Sequence, residues 1–307
     1  MNQHQSGGAT ENSPSYQLTC GSLGGPVAEN HARLALIGDV VGKPGMRIAC
    51  LAVDWLKQIA GAEGLVVNAE NAADGSGLRC KDFRRLIEAG YDFVTLGDHI
   101  YRKREIIEEL NKSDRIVRPC NMPSEAPGLT EGTFSLKSRP EISIGVISAL
   151  GRVFMKPIDC PFKAVEQALD ALPNETRIRL LDFHAEATSD KQAMGRFLDG
   201  RISAVIGTHT HVPTADACVL PGGTGFQSDV GMTGPFESIL GRKIQPVLDA
   251  TLHSVPVPFQ VATDDVRLGG AWIDVCCETG KCSAIGHFQV SQETIEHFEQ
   301  SKQSDRI

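Results

Sequence analysis

The chain has 307 residues, of which 41% are hydrophobic, 22% charged and 6% aromatic, and its formal net charge is −8. This length allows one or two domains with a sizeable core, and no apolar run approaches the about 20 residues that a membrane-spanning helix needs. The negative charge argues against broad binding to nucleic acids or membrane surfaces. A nucleotide-sized anion would need a metal ion to supply positive charge.

Both ends of the chain are polar. Residues 1–31 are rich in Gly and Ser and lack the basic start and apolar core of a secretory signal, so we predict a disordered N-terminal tail. Residues 32–290 are predicted to form one domain, and 291–307 a polar C-terminal tail that forms a helix or frays. Nine scattered cysteines without a CxxC pair indicate reduced thiols and a cytoplasmic location.

Strand and helix signals alternate along the domain. Short Val-, Ile- and Leu-rich runs predict buried parallel strands, and apolar residues at helical spacing predict the helices between them. The predicted strands are 33–38, 65–69, 92–96, 115–118, 142–148, 177–183 and 203–207, and the predicted helices are 45–60, 80–89, 102–111, 161–172 and 188–199. Segment 119–140 is predicted to cross between the halves, and 255–261, 271–277 and 283–290 to be antiparallel strands.

Five of these strands end at residue types that bind metals. In an open α/β sheet, ligands collect outside the carboxyl ends of the strands. We therefore predict that one crevice collects the side chains of Asp39, Glu70, Asn71, Asp98, His99, His184, His209 and His211. This set is larger than one metal ion needs, and its size suits two.

Each strand end has a structural alternative when it is taken alone. Asn71 could stabilise a turn, Asp98 could cap the helix that follows it, and a single strand-end histidine such as His184 is more often structural. The pair His209 and His211 is the strongest local signal. Side chains two residues apart in extended backbone project to the same side, so both imidazoles can reach one ion or one each of a pair.

Further residues beside these strand ends are candidates for supporting roles. Asp182 and Glu186 could accept hydrogen bonds from ligating imidazoles and so orient them. Lys43 and Arg79 lie in loops near the ligands and could contact phosphate, although solvated loop cations are the commoner outcome. Asn121 follows another strand and could line the crevice.

Taken together, the motifs resemble those of the YmdB-like metallophosphoesterases, a branch of the calcineurin-like superfamily. They are IGDVVGKPG at 37–45, NAENAADG at 68–75, TLGDH at 95–99, DFHAEATS at 182–189, GTHTHVP at 207–213 and DVGMTGP at 229–235. The resemblance covers about residues 33 to 290. It implies an α/β calcineurin-like sandwich of two mixed β-sheets flanked by helices, and a two-metal hydrolase of phosphodiesters. The family's reported substrates are 2′,3′-cyclic nucleotides.

The same resemblance assigns the metal ligands. It implies that one ion is held by Asp39, Asn71 and His211, the other by His184 and His209, with Glu70 bridging the two. These donors suit iron, manganese and zinc, so we expect two divalent or mixed-valence ions, with iron or manganese favoured.

One position departs from the family pattern. Asp98, itself a candidate ligand, occupies the place where the family usually has Asn. With Asp39 and Glu70 it would set three negative charges against four positive charges of two divalent ions. We expect tighter metal binding and weaker Lewis acidity, or a preference for a harder ion such as iron(III). Protonation of Asp98 is the alternative.

The predicted function is metal-dependent hydrolysis of small phosphodiesters, with 2′,3′-cyclic nucleotides implied by the resemblance. A hydroxide shared by the two ions would attack phosphorus, and His99, which matches the family's proton donor, would act as general acid. A phosphomonoesterase or other metallohydrolase, and a non-catalytic metal-stabilised regulator that binds nucleotide, remain alternatives. We expect no stable nucleic-acid complex and no membrane attachment, and the resemblance allows a homo-oligomer.

Overall fold

Two mixed β-sheets organise residues 20–304, the part of the chain that the computed structural model describes. The first sheet contains β1 Cys20–Gly21, β2 His31–Ile37, β3 Asp39–Val40, β4 Gly64–Asn68, β5 Phe93–Thr95, β12 Met232–Pro235, β13 Val266–Cys276 and β14 Cys282–Ser291. The second contains β6 Glu131–Ser135, β7 Ser143–Leu150, β8 Ile178–His184, β9 Ala204–Thr208, β10 Cys218–Val219 and β11 Gly225–Gln227. The predicted α/β sandwich of two mixed sheets is confirmed.

Parallel pairing in both sheets follows the predicted alternation of strands and helices. The first sheet has the order β1-β14-β13-β2-β4-β5, and β12 pairs with β13 and β3. In it, β2, β4 and β5 are parallel. The second has the order β10-β11-β9-β8-β7-β6, in which β7, β8, β9 and β11 are parallel. The carboxyl ends of these parallel strands carry the predicted site residues.

Residues 20–304 contain eight α-helices, and those that bury an apolar face cover the outer sides of the sheets. The eight are α1 Gly42–Leu51, α2 Val53–Gln58, α3 Cys80–Ala89, α4 Ile107–Lys112 after a 3₁₀ turn at Arg104–Ile106, α5 Pro161–Ala171, α6 Thr188–Leu198, α7 Ile244–His253 and α8 Gln292–Ser304. None of these helices of residues 20–304 combines the length and the apolar character of a membrane span.

The alternation of side chains along the strands divides the core into layers. In β2, Leu34 and Leu36 enter the cluster between the two sheets, where they join Phe93 and Leu180. Ile37, on the opposite face, belongs to the cluster beneath α1, α2, α3 and α8. A third cluster fills the space between the second sheet and helices α5 and α6. Successive strand residues point to opposite faces, so a strand buried on both sides is apolar throughout.

Several predicted elements differ from the structure. The helix predicted at 45–60 is two helices, α1 and α2, and segment 119–140 contains the strand β6. Residues 115–118 form only isolated bridges. The strand predicted at 255–261 is corrected to irregular chain, with one bridge between Val261 and Arg242. Pro256 and Pro258 cannot donate to a ladder, which explains why this β-branched run does not pair.

Ordered structure begins before residue 32 where the structure describes the N-terminal end, and the C-terminal residues form the helix that was one of their two predicted outcomes. Residues 1–19 of the predicted tail lie outside the described part, but β1 pairs with β14. The guanidinium of Arg33 donates to the carbonyl oxygens of Leu23 and Gly25 at 2.8 and 2.9 Å. At the other end, α8 buries Ile295 and Phe298. Within the described residues, ordered elements therefore extend beyond the predicted limits of 32 and 290.

Candidate metal centre

The loops after β2, β4 and β5 of the first sheet and after β8 and β9 of the second face one crevice. All eight predicted residues lie there, and each has a polar contact with at least one of the others. They are Asp39, Glu70, Asn71, Asp98, His99, His184, His209 and His211.

Glu70 lies at the middle of the group and is fully buried. Its Oε1 lies 3.1 Å from Nε2 of His184 and 3.3 Å from Nδ1 of His99. Its Oε2 accepts the backbone N–H of His99 at 3.0 Å. Burial acts to raise the pKa of Glu70, but the neighbouring imidazoles, His184 above all, hold it well below its usual range. Glu70 is therefore an ionised carboxylate aimed into the crevice.

Asp39 is also fully buried, but only one of its carboxylate oxygens has a hydrogen bond. Oδ2 accepts the backbone N–H of His209 at 3.0 Å, whereas no hydrogen-bond donor among the described residues reaches Oδ1. Burial raises the pKa of Asp39 to about 8. An ionised carboxylate in this position is costly unless a cation lies beside it.

The imidazole of His184 is oriented by a chain of hydrogen bonds. Thr208 donates its hydroxyl proton to Oδ1 of Asp182 at 2.6 Å, so its oxygen accepts from Nδ1 of His184 at 2.9 Å. Oδ2 of Asp182 accepts from Asn68 at 2.8 Å and from Thr95 at 2.5 Å. His184 therefore aims Nε2 into the crevice. Burial acts to lower the pKa of His184, but Glu70 and Asp98 outweigh it and raise this pKa well above its usual range, so Nε2 carries a proton that a bound metal ion would displace.

His209 presents its other ring nitrogen. Its Nε2 lies 3.1 Å from the carboxylate of Glu186, an arrangement that places the proton on Nε2. Its Nδ1 lies 2.9 Å from Nε2 of His184. Oδ1 of Asp98 lies 3.3 Å from that same His184 atom and 3.7 Å from Nδ1 of His209. Two imidazole nitrogens and two carboxylates, the second from Glu70, thus face one another.

Asn71 and His211 contact each other, and Asn71 also contacts Glu70. The amide nitrogen of Asn71 lies 3.1 Å from Oε1 of Glu70 and 3.1 Å from Nε2 of His211. Nδ1 of His211 donates to the carbonyl oxygen of Leu240 at 3.1 Å. Burial lowers the pKa of His211, so its ring is neutral and Nε2 accepts from the amide nitrogen of Asn71.

The two histidines after β9 reach the crevice by a route that differs from the prediction. Extended backbone was expected, but β9 ends at Thr208, and the φ angles of His209 and His211 are +100° and +65°. The backbone turns because carboxylates accept its N–H groups, from His209 to Asp39 and from Thr210 to Asp229. Left-handed backbone is costly for residues other than glycine, and it persists where surrounding contacts fix it.

A buried ion pair supports this turn. Nζ of Lys191 donates to Oδ2 of Asp229 at 2.7 Å, and both side chains are almost fully buried. The other oxygen of Asp229 accepts the N–H of Gly231 at 2.8 Å. Asp229 therefore connects helix α6 to the loop that carries both histidines.

The position before Asp98 has room only for a glycine, Gly97. A Cβ atom at this position would lie 2.3 Å from Oε2 of Glu70 and 2.4 Å from Cδ2 of His184. Both distances are far below van der Waals contact. Glu70 and His184 belong to the centre, so neither side chain can move aside to make room. The glycine thus permits the close approach of β5 to the second sheet.

The remaining predicted residues have other contacts. Glu186 bonds His209 as predicted, whereas Asp182 acts on His184 only through Thr208. Asn121 bonds the backbone of Leu150 and so has a structural role. Arg79 pairs with Asp74 and shares a cavity with Lys43.

Residues 35–288 match the model of the family described as YmdB-like protein. The chain belongs to this YmdB-like family. It is 39% identical over 261 residues to the 2′,3′-cyclic-nucleotide 2′-phosphodiesterase of Bacillus subtilis (strain 168), covering 85% of this chain and 98% of the relative.

Two solved structures are also similar to this YmdB-like protein. One is a hypothetical protein from Thermus thermophilus, with a TM-score of 0.78 and 38% identity, covering 84% of this chain and 99% of that one. The other is a novel phosphatase from Mycoplasma pneumoniae, with a TM-score of 0.78 and 28% identity, covering 87% and 96%. Nearly the full length of each relative is therefore represented here.

The donor set of this YmdB-like protein fits metal ions. Among the described residues, Glu70, Asp98, His184 and His209 each offer a ligand atom, and these atoms lie within 4.8 Å of one another. The unpartnered Oδ1 of Asp39 adds a further buried donor. Imidazole nitrogens with carboxylate oxygens form a borderline-hard set that suits iron, manganese or zinc. Asn71 would add its amide oxygen, which contacts Nδ1 of His99 in this structure.

Proposed function

We propose that this YmdB-like protein is a metal-dependent phosphodiesterase with 2′,3′-cyclic nucleotides as its substrate class. The observation that carries the proposal is the convergence of carboxylates and oriented imidazoles from both sheets on one crevice. The named activity of the Bacillus subtilis relative supports the substrate class.

Glu70 contacts both His184 and Asn71 through Oε1, each at 3.1 Å, which supports a shared role for this carboxylate. We assign one ion to Asp39, Asn71 and His211 and the other to Asp98, His184 and His209, with Glu70 shared by both. We expect iron or manganese in divalent or mixed-valence form, with zinc as a weaker candidate. When bound, such ions offset the charge of the phosphate and lower the pKa of water toward neutrality.

His99 is positioned to supply the proton that the leaving oxygen needs. Its Nδ1 is 2.9 Å from Oδ1 of Asn71, and its ring is partly exposed at the crevice. The hydrogen bond to Glu70 raises the pKa of His99. Cleavage of the cyclic ester breaks a bond from phosphorus to a ribose oxygen, and that oxygen must take up a proton. Nε2 of His99, which lies 3.9 Å from Oδ2 of Asp98, is the donor atom that we assign to this step.

Elemental analysis of the purified full-length chain, paired with assays on 2′,3′-cyclic AMP and p-nitrophenyl phosphate, tests the proposal. We expect about two metal ions per chain and faster turnover of the cyclic diester than of the monoester. Faster monoester turnover would instead indicate a phosphomonoesterase. Bound metal and bound nucleotide without hydrolysis, after reconstitution with iron, manganese and zinc in turn, would indicate a non-catalytic regulator.

A further inference from the structure

A mainly apolar cavity of about 520 Å³ opens beside the metal centre. Its walls include Tyr101, Met122, Leu150 and Met155, and Asp98 lies at one side. This volume falls within the range of about 300–1,000 Å³ that is usual for small-molecule sites. Apart from Asp98, none of the residues that we assign to the metal ions or to proton donation lines this cavity.

The cavity is continuous with the metal centre at two points. Asp98 lines the cavity and also lies 3.3 Å from Nε2 of His184. The loop that forms another wall begins at Gly151, whose N–H donates to the carbonyl oxygen of His184 at 3.0 Å. Because both attachments involve residues at the centre, a ligand group in the cavity lies next to any phosphate held there.

The loop from 151 to 159 has its own anchor. The N–H groups of Arg152 and Val153 both donate to Oδ2 of Asp190, at 2.9 and 3.0 Å. These bonds tie the loop to helix α6, which also carries Lys191 of the ion pair with Asp229. The wall that contains Met155 is therefore fixed with respect to the histidine loop.

We propose that this cavity receives the nucleobase of the substrate, an inference that rests on the proposed function. A cyclic nucleotide joins its phosphate to a flat aromatic base through a single ribose, so a base must lie within a few bonds of the metal centre. Aromatic rings and thioethers bind flat apolar faces well, and Tyr101, Met122 and Met155 present these groups.

Tyr101 is held in place for such a contact. Its hydroxyl donates to the carbonyl oxygen of Pro127 at 2.8 Å, so the direction of its ring is fixed. Stacking of a base on an aromatic side chain changes affinity by about 5- to 100-fold. Since the cavity offers mainly apolar contacts, it accepts different bases and favours the larger purines.

The test compares substrates with and without a base, using wild type and variants of the cavity walls. The substrates are 2′,3′-cyclic AMP and 1-O-methylribose 2′,3′-cyclic phosphate. Ile158→Trp fills the cavity, and Met155→Ala removes part of a wall. Val153→Ala is the matched control, because Val153 lies in the same loop but does not line the cavity, and its backbone bond to Asp190 is kept.

We expect Ile158→Trp to lower kcat/KM for 2′,3′-cyclic AMP by about 5- to 100-fold and to leave the base-free substrate within about twofold. Met155→Ala should act in the same direction more weakly, so the proposal stays testable if one variant does not fold. Val153→Ala should change neither substrate. An equal loss on both substrates, or no loss on either, overturns the assignment.

A failure of the proposed function gives a different pattern. If wild type with iron, manganese or zinc hydrolyses neither substrate, the proposed activity is wrong, and calorimetry then decides the role of the cavity. Ile158→Trp should weaken binding of adenosine 3′-monophosphate and leave binding of inorganic phosphate unchanged. Equal affinity of wild type and variant for the nucleotide overturns the nucleobase site.

Discussion

The two sheets bring different chemistry to the same crevice. Loops of the first sheet supply the oxygen donors Asp39, Glu70, Asn71 and Asp98, together with His99. Loops of the second sheet supply the imidazole donors His184, His209 and His211. One sheet therefore contributes the carboxylates and the other contributes imidazoles.

The two sets also differ in how they are held. Each second-sheet imidazole has its remote nitrogen bonded, by Thr208, Glu186 and the carbonyl oxygen of Leu240. The first-sheet carboxylates have fewer such supports within residues 20–304, and Oδ1 of Asp39 has no hydrogen bond there. The second sheet is thus preorganised, whereas the first carries charge that a cation must offset. Cations bound between them would link the two sheets.

Removing the central imidazole breaks this arrangement most severely. His184 contacts Glu70 and His209 at 3.1 and 2.9 Å, so His184→Ala should release metal and lower turnover by more than about 10³-fold. Metal content by elemental analysis and kcat on 2′,3′-cyclic AMP measure both effects. Circular dichroism checks the fold, and His211→Ala tests the other group of donors. A His184→Ala enzyme with full metal content and full turnover would exclude the assignment.

A substitution at His99 distinguishes proton donation from metal binding among the residues of the first sheet. His99→Ala should lower kcat by about 10²- to 10⁴-fold, the usual loss of a general acid, while metal content stays unchanged. A diester with a p-nitrophenolate leaving group needs no proton and should be affected much less. Loss of metal from the variant would show that His99 is a ligand, and unchanged kcat would show that another group supplies the proton.

Much of this site could be predicted from the strand ends alone. Parallel strands place their carboxyl ends at one edge, so residues directly after Val- and Ile-rich runs were expected to meet. That reasoning needs neither the pairing order nor the register. It holds for Asp39, Glu70 and His184, which follow or end buried strands and contact one another here.

Features that depend on pairing could not be predicted in the same way. Thr208 lies opposite His184 in the parallel ladder of β8 and β9, and only the register shows this. Strand β12 joins β3 and β13 of the first sheet although β11, just before it in sequence, belongs to the second. Local hydrophobic pattern carries no information about which sheet a strand joins, because long-range packing decides it.

Thr208 tests whether the second sheet is preorganised by its outer contacts. Thr208→Val keeps the shape of the side chain but removes the hydroxyl that accepts from Nδ1 of His184 and donates to Asp182. We expect metal affinity to fall by about 10- to 100-fold, as for other groups that orient metal-bound histidines. Thr208→Ser keeps the hydroxyl and should retain most of the affinity. If valine and serine behave alike, the hydroxyl does not orient the imidazole.

Asp98 tests how the negative charge of the first sheet affects the metal ions, and here we expect the smallest effect. Burial acts to raise the pKa of Asp98, but the hydrogen bond with His184 outweighs it and the pKa is lowered, so we treat this carboxyl as ionised. Asp98→Asn removes one negative charge while keeping an oxygen donor. It should weaken metal binding, and at saturating metal it should raise turnover a few-fold because the ions become stronger Lewis acids.

Titrations with manganese, iron and zinc, each followed by kcat at saturating metal, separate the two effects of Asp98→Asn. The carboxylate of Asp98 lies 3.3 Å from Nε2 of His184, so its charge acts on the ion that we assign to Asp98, His184 and His209. The loss of affinity should be larger for a trivalent ion than for a divalent one, because attraction scales with the product of the charges. Unchanged affinity together with unchanged turnover would mean that the third carboxylate does not act on the metals, and that Asn and Asp are equivalent at this position.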